Sequence, residues 1–357
     1  MQSQNSDLDF SNQEFYLGID VHKKSWNVTI RSNNIVLKTF SMNPDSLELK
    51  KYMEKNYPKG KYLSVYEAGF SGFHTHRELT QYGFNSIVVS PTDIPTSGKE
   101  RITKTDKVDS RKLSRELENK NLKSIFIPNL LQQELRSICR LRYQQIKKLT
   151  RIKNQIKSYL DFYGHKPPAN CVMKRWSRAF IEYLQNLEFQ YSMGKEQLDI
   201  YIEELLEIRS RIVQIMLSLK KYCAQYEFDK EIKLLRSVPG VGPITAVTIA
   251  TEIIDINRFS NTDKFASYFG LIPSTNSSGE KERVLGLSFL FNRYVRSLII
   301  EAAWISIRND PALTLAFNNY SKRMSKQESI VRIAKKLLNR IYFVLKNNKE
   351  YVYAVVK

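Results

Sequence analysis

Three apolar runs open the chain, at 15–21, 25–31 and 35–40, and the Asn33-Asn34 pair between the last two has the chemistry of a tight hairpin turn. Strands joined this closely form an antiparallel meander. Downstream the pattern alternates, with a helix over 44–55, a strand over 62–67, a helix over 73–82, a strand over 85–90, a helix over 106–118 and a short strand near 124–128. A meander followed by alternating helix and strand leaves few arrangements open, and the economical one is a single sheet covered by helices.

That order is the RNase H-like plan, and it makes the positions of four acids informative. Asp20 ends the apolar run Phe15-Tyr16-Leu17-Gly18-Ile19. Glu67 ends Tyr62-Leu63-Ser64-Val65-Tyr66, after which Ala68-Gly69-Phe70-Ser71-Gly72 turns the chain toward a helix starting near His74. Asp106 and Asp109 are spaced i and i+3, so one helical face carries both. Taken singly, each is one of 36 acidic residues and reads as an ordinary solvated carboxylate. As a set, two strand ends and one helix face inside the basic stretch Lys99–Lys123 make an oxygen-rich site suited to Mg²⁺, a hard ion that bridges phosphates. Phosphoryl transfer is the expected chemistry, with the polar stretch Asp93–Thr105 as a mobile basic loop beside the carboxylates.

The 357 residues allow two or three domains with cores of their own, and 42% hydrophobic content makes the chain globular. A formal net charge of +20 calls for an anionic partner, and nucleic acid is the economical choice. No apolar stretch approaches the roughly 20 residues that span a bilayer. The polar start Met1–Asn12 has no signal-peptide core, so a cytoplasmic protein is expected. Cys139, Cys171 and Cys223 are too few and too far apart for a disulfide framework or zinc site, and read as buried thiols.

From Asn129 to Cys223 glycine nearly disappears, and Leu131, Leu135, Ile138, Leu141, Ile146, Leu149, Ile152 and Ile156 approximate one helical stripe. Gly164-His165-Lys166-Pro167-Pro168 breaks the pattern, which resumes through Glu203-Glu204-Leu205-Leu206. Long helices follow, paired either as a coiled coil between chains or as a bundle within one.

Beyond them, Val238-Pro239-Gly240-Val241-Gly242-Pro243 reads as the turn of a helix-hairpin-helix, whose backbone N–H groups can face a phosphate. A plain tight connection between two core helices would use the same residues. Further on, Ser274-Thr275-Asn276-Ser277-Ser278-Gly279 precedes Lys281, Arg283, Arg293 and Arg296. On composition this is a flexible surface loop ahead of several cations.

Together these pieces resemble the DEDD transposases, the bacterial insertion-sequence family that also contains the Piv and MooV DNA invertases. The resemblance rests on Gly18-Ile19-Asp20-Val21-His22-Lys23, Glu67-Ala68-Gly69, Lys104-Thr105-Asp106-Lys107-Val108-Asp109-Ser110-Arg111, the Gly240-Val241-Gly242 hairpin, and Gly270-Leu271-Ile272-Pro273 followed by Ser277-Ser278-Gly279, all in family order. It implies an α/β plus α architecture: a RuvC-like domain over 1–128, a helical or coiled-coil segment over 129–225, and a mainly helical transposase domain over 226–357. It also implies that Asp20, Glu67, Asp106 and Asp109 bind Mg²⁺, with Mn²⁺ as a substitute, and that Ser278 is the nucleophile with Ser277 in reserve.

The expected activity is DNA recombination through a 5′-phosphoserine, without ATP, by a dimer or tetramer. A structured noncoding RNA of the element, a bridge RNA or seekRNA, would choose the element-end and target DNA. Lys104, Lys107, Arg111, Gly240, Gly242, Lys281, Arg283, Arg293 and Arg296 are the expected nucleic-acid contacts. The competing expectation is a RuvC-like hydrolytic nuclease or junction resolvase, which activates water and forms no covalent intermediate.

Overall fold

A computed structural model describes residues 9–95, 106–167, 176–226, 228–278, 281–287 and 292–353. Lys104 and most of the expected basic loop lie outside the described residues, as do the side chains of Asp106, Lys107, Ser277, Ser278, Lys281 and Arg283. The chain divides into two compact units, Met1–Ile127 and Pro128–Lys357.

The first unit is a five-stranded sheet of order β3-β2-β1-β4-β5. Its strands are β1 (Glu14–Val21), β2 (Trp26–Ser32), β3 (Ile35–Met42), β4 (Lys61–Glu67) and β5 (Asn85–Val89). β1, β2 and β3 pair antiparallel, whereas β4 pairs parallel with both β1 and β5. Asn33 and Asn34 both take the positive φ that a tight turn demands, 51° and 64°. Helix α1 (Ser46–Asn56) starts where the Asp45 carboxylate accepts hydrogen bonds from the backbone N–H groups of Leu47 and Glu48.

The two faces of the sheet carry separate cores. Phe15, Leu17 and Ile19 alternate onto one face and pack with Leu49, Met53 and Tyr66, and with Leu79 of α2 (His74–Gln81). Val65 and Val89 lie on the other face with Leu113 and Leu117 of α3 (Asp106–Glu118). The short strand expected near 124–128 is reduced to one bridge, Val89 to Ser124, extended by a hydrogen bond from Ile125 N–H to the Val88 carbonyl. Pro128 follows and has no N–H with which to continue a ladder.

The second unit begins with α4 (Leu130–Phe162), closed at its start by a reciprocal cap between Asn129 and Gln132. α4 packs antiparallel against α6 (Ser192–Gln225) within the chain. Tyr159 OH donates to the Gly194 carbonyl at one end of the pair, while Cys139 meets Leu219 and Cys223 at the other. The short α5 (Arg178–Gln185) covers the Tyr159 end with Phe180, Ile181 and Leu184. Leu141 departs from the expected stripe and is 42% exposed, because it sits about 200° around the helix from the buried Cys139.

The rest of this unit is α7 (Asp229–Ser237), α8 (Pro243–Ile253), α9 (Thr262–Tyr268), a β6–β7 hairpin (Pro273–Ser278 with Lys281–Leu287), α10 (Arg293–Asn309), α11 (Pro311–Ser321) and α12 (Lys326–Asn347). Its core is a single cluster that includes Leu235, Ile249, Phe265, Phe269, Ile299, Ile333 and Leu337. Among the described residues no helix is long and apolar enough to cross a membrane.

Candidate active site

Strand register decides the geometry of the first unit's site. Ile19 and Tyr66 are partners across the parallel β1–β4 ladder, so Asp20 and Glu67, one residue further on, stand side by side at the ends of their strands, where they still pair outward with Asn27 and Val89. Neighbouring strands stand about 4.8 Å apart. Side chains also alternate between faces. Gly18 and Asp20 therefore share one face of β1, and Glu67 shares the face of Val65, the side on which α3 packs.

Gly18 fixes how closely α3 approaches. A Cβ placed there would lie 2.1 Å from the Ser110 carbonyl oxygen and 2.4 Å from the Ser114 nitrogen. Thr29 and Ser110 share a buried hydroxyl–hydroxyl hydrogen bond of 2.9 Å. At the far end, Glu118 accepts from Arg31 Nε at 2.8 Å and from the Asn34 backbone N–H at 2.7 Å. Since Arg31 pairs with Tyr16, near the start of β1, α3 runs antiparallel to β1. Its first turn, with Asp106 and the half-buried Asp109, begins at the same end of the sheet as Asp20 and Glu67.

His22 reaches back toward Asp20, with Nε2 3.1 Å from Oδ2. Arg111 lies on the exposed side of α3 and donates to Thr39 Oγ1 at 3.3 Å. The donors at this edge are carboxylate oxygens, the chemistry a hard divalent cation requires. Among the described residues no three His, Cys, Asp or Glu side chains are close enough to hold a metal ion. A shallow cavity of about 910 Å³, lined by Gln13, Glu14, Tyr16, Asn34 and Glu118 among others, lies at the opposite end of β1 from these acids.

The second unit holds the serines. Ser277 and Ser278 end β6, paired with Glu282 and Lys281 of β7, so the segment expected as a surface loop is a strand in an antiparallel pair; Gly279 and Glu280 lie outside the described residues. The hairpin's base is anchored from inside. Arg296, half-buried on α10, donates to the Gly270 carbonyl, and burial holds its guanidinium below the ordinary value. Arg293 is exposed.

One cluster escapes sequence reading. Glu252 is fully buried in α8 and accepts from Arg140 Nε at 2.9 Å and from Tyr268 OH at 3.2 Å, with Arg136 Nε 3.3 Å away. Arg258 donates to the Glu252 carbonyl at 3.1 Å. Glu252 thus ties α4 to the helix that leads into Gly270 and the serine hairpin.

The expected helix-hairpin-helix is formed by α7, the turn Val238–Gly242 and α8. Its two glycines differ. Gly240 has φ +87°, and a Cβ there would meet Ser306 Oγ at 2.1 Å and the Ala302 carbonyl at 2.5 Å. It is pressed onto α10, where Ser306 Oγ donates to the Pro239 carbonyl at 2.7 Å. Gly242 is exposed, caps α8 and has open space around it.

Two family models match the chain: the DEDD_Tnp_IS110 transposase model over residues 17–165, and the model of the transposase IS116/IS110/IS902 family over 232–317. The first begins inside β1, just before Asp20, and takes in Glu67 and α3. The second holds the glycine hairpin and the serines. The chain belongs to the DEDD transposase family.

Several transposases and putative transposases match this chain at modest identity. A putative transposase y4qE of Sinorhizobium fredii is 27% identical over 67% of this chain and 57% of its own length, so this chain spans little more than half of that relative. Another from the same organism, y4rJ, is 28% identical over 77% of this chain and 75% of its own length. The transposase for insertion sequence element IS1111A of Coxiella burnetii is 25% identical over 77% of this chain and 74% of its own length.

Proposed function

We propose that this DEDD transposase is the recombinase of an insertion sequence, cutting and rejoining DNA by serine attack on a phosphodiester. The observation that carries the reading is the side-by-side placement of Asp20 and Glu67 on neighbouring strands, at the end of the sheet where α3 begins with Asp106 and Asp109. Asp20, Glu67, Asp106 and Asp109 would hold Mg²⁺, which supplies charge neutralisation at the phosphate and a lowered pKa for a nearby hydroxyl.

Ser278 Oγ, with Ser277 in reserve, attacks phosphorus. The P–O3′ bond breaks, the serine proton passes to the leaving 3′ oxygen, and a 5′-phosphoserine and a free 3′-OH remain. The bond energy is kept for religation, so no ATP is consumed. His22 Nε2, 3.1 Å from Asp20 Oδ2, is placed to hydrogen-bond that carboxylate. Lys104, Lys107, Arg111, Gly242, Lys281, Arg283 and Arg293 meet phosphates. A net charge of +20 suits two polyanions, the element's DNA and a structured noncoding guide RNA, and makes binding strongly salt-dependent. The working assembly is an even-numbered oligomer in the cytoplasm, since four strands are exchanged.

The test is cleavage of labelled element-end DNA with protein, guide RNA and Mg²⁺ or Mn²⁺, comparing wild type with Asp20→Asn, Glu67→Gln and Asp106→Asn. Cation-dependent cleavage lost in all three variants, with folding intact by circular dichroism, supports the reading. Cleavage that survives all three overturns it. Cation-dependent cleavage without a protein–DNA adduct makes the chain a hydrolytic RuvC-like nuclease instead.

A further inference from the structure

Three residues beyond Glu67, a phenylalanine stands out of the fold at the end of the sheet that carries Asp20 and Glu67. Phe70 is 60% exposed, although the same loop places Phe73 against the core. A turn holds it there. Gly72 N–H donates to the Gly69 carbonyl at 3.1 Å, and Gly72 takes φ +54°, a conformation that favours glycine.

The turn is tied down from below. Tyr66, fully buried, donates its hydroxyl to the Gly72 carbonyl at 2.9 Å and accepts from the His76 backbone N–H at 3.2 Å. Phe70 is therefore displayed by a supported turn. Lys23, three residues beyond Asp20, brings its ammonium 6.0 Å from the Phe70 ring centroid. A cation at an exposed aromatic ring, next to two carboxylates at strand ends, is the pairing that single-stranded nucleic acid uses: the ring stacks on a base and the cation meets the phosphate.

We infer that Phe70 is a stacking platform for a DNA base beside the phosphate to be cut, with Lys23 contacting the adjoining phosphate. This rests on the recombinase reading and extends it to how the substrate is held. Stacking on Phe70 draws one base out of the duplex and fixes the strand over Asp20 and Glu67. Such a contact tolerates any base, because every base has a π face. It leaves sequence choice to other parts of the assembly.

The test uses element-end oligonucleotides carrying a single 2-aminopurine, moved one position at a time, bound in Ca²⁺ with the guide RNA to wild type, Phe70→Trp, Phe70→Leu and Lys23→Gln. Anisotropy of the same complexes reports total binding. Wild type and Phe70→Trp are expected to change the emission of one position relative to the same probe in free duplex. Phe70→Leu should lose that change and bind about ten-fold more weakly, and Lys23→Gln should keep the change while its salt dependence becomes shallower. The same emission profile for Phe70→Leu and wild type overturns the inference alone, whereas no binding by any protein overturns it together with the recombinase reading.

Discussion

Asp20 and Glu67 stand side by side at the ends of their strands because Ile19 and Tyr66, the residues before them, are partners in a parallel ladder. The pairing sets the separation of the two backbone positions by the strand spacing rather than by loops. What faces them is set by Gly18, which lets the α3 backbone lie directly on β1.

Gly18→Ala should therefore disable the protein without touching any acid. Its methyl group meets main-chain atoms of Ser110 and Ser114, which cannot rotate away, so α3 must lift from β1. A loss of roughly 1–3 kcal/mol in denaturant melts is expected, as for other overpacked sites. DNA cleavage should fall further than the stability loss explains, because the first turn of α3 moves with the helix. An alanine variant as stable and as active as wild type would contradict the close approach.

The glycine hairpin separates packing from binding. Gly240→Ala combines a positive φ with contact against Ser306 and Ala302, and should cost about 2 kcal/mol or more. Gly242→Ala meets nothing within 4 Å and should melt close to wild type. If the turn holds a phosphate, Gly242→Ala weakens DNA or RNA binding at unchanged Tm. Equal melting temperatures for the two variants would overturn the assignment of Gly240 to packing.

Glu252 is the keystone of the second unit's polar core. Glu252→Ala strands Arg136 and Arg140 against apolar helices, and breaking a buried pair costs on the order of 3–5 kcal/mol. The low end is expected, since the Arg140 side chain is 49% exposed and can reach water. Thermal unfolding measures it. A change below about 1 kcal/mol would show that the cations repartner freely.

His76 gives a pH signature. Burial, with the Arg77 guanidinium second, holds its imidazole below the ordinary value of 6.5 despite an opposing backbone hydrogen bond with Ser86. Below that value the unfolded chain takes up a proton that the folded chain excludes. This contribution to stability is thus full above pH 6.5 and is lost as pH falls through the folded pKa. Between about pH 7.5 and about pH 5.5, His76→Asn should lose less Tm than wild type. Parallel curves would remove His76 from the pH response.

Much of the first unit was legible in the sequence because its signals are local. Apolar runs, the Asn33-Asn34 turn and the helix opening at Asp106 each declare themselves within ten or so residues, and the structure follows them to within a residue or two. Ile125 and Ile127 point to a strand near 124–128, but the structure forms an isolated bridge at Ser124, because Pro128 cannot pair. The serine segment has the composition of a loop because Asn and Gly are poor strand formers and it holds no apolar run, and the β7 partner that pairs with it is what makes it a strand. Glu252 was invisible for another reason. Its ligands Arg136 and Arg140 lie more than a hundred residues away, and no local pattern announces a charge that the tertiary fold buries.

The central claim, serine attack aided by the carboxylate edge, is tested most directly by mapping the covalent bond. Element-end DNA is incubated with protein, guide RNA and Mg²⁺, and the DNA is digested to a residual nucleotide. The tryptic peptide spanning residues 265–281 is then fragmented in a mass spectrometer. A nucleotide on Ser278, absent from Ser278→Ala and from Asp20→Asn but present in Ser277→Ala, is the predicted result. Cleaved DNA with every peptide unmodified would contradict it.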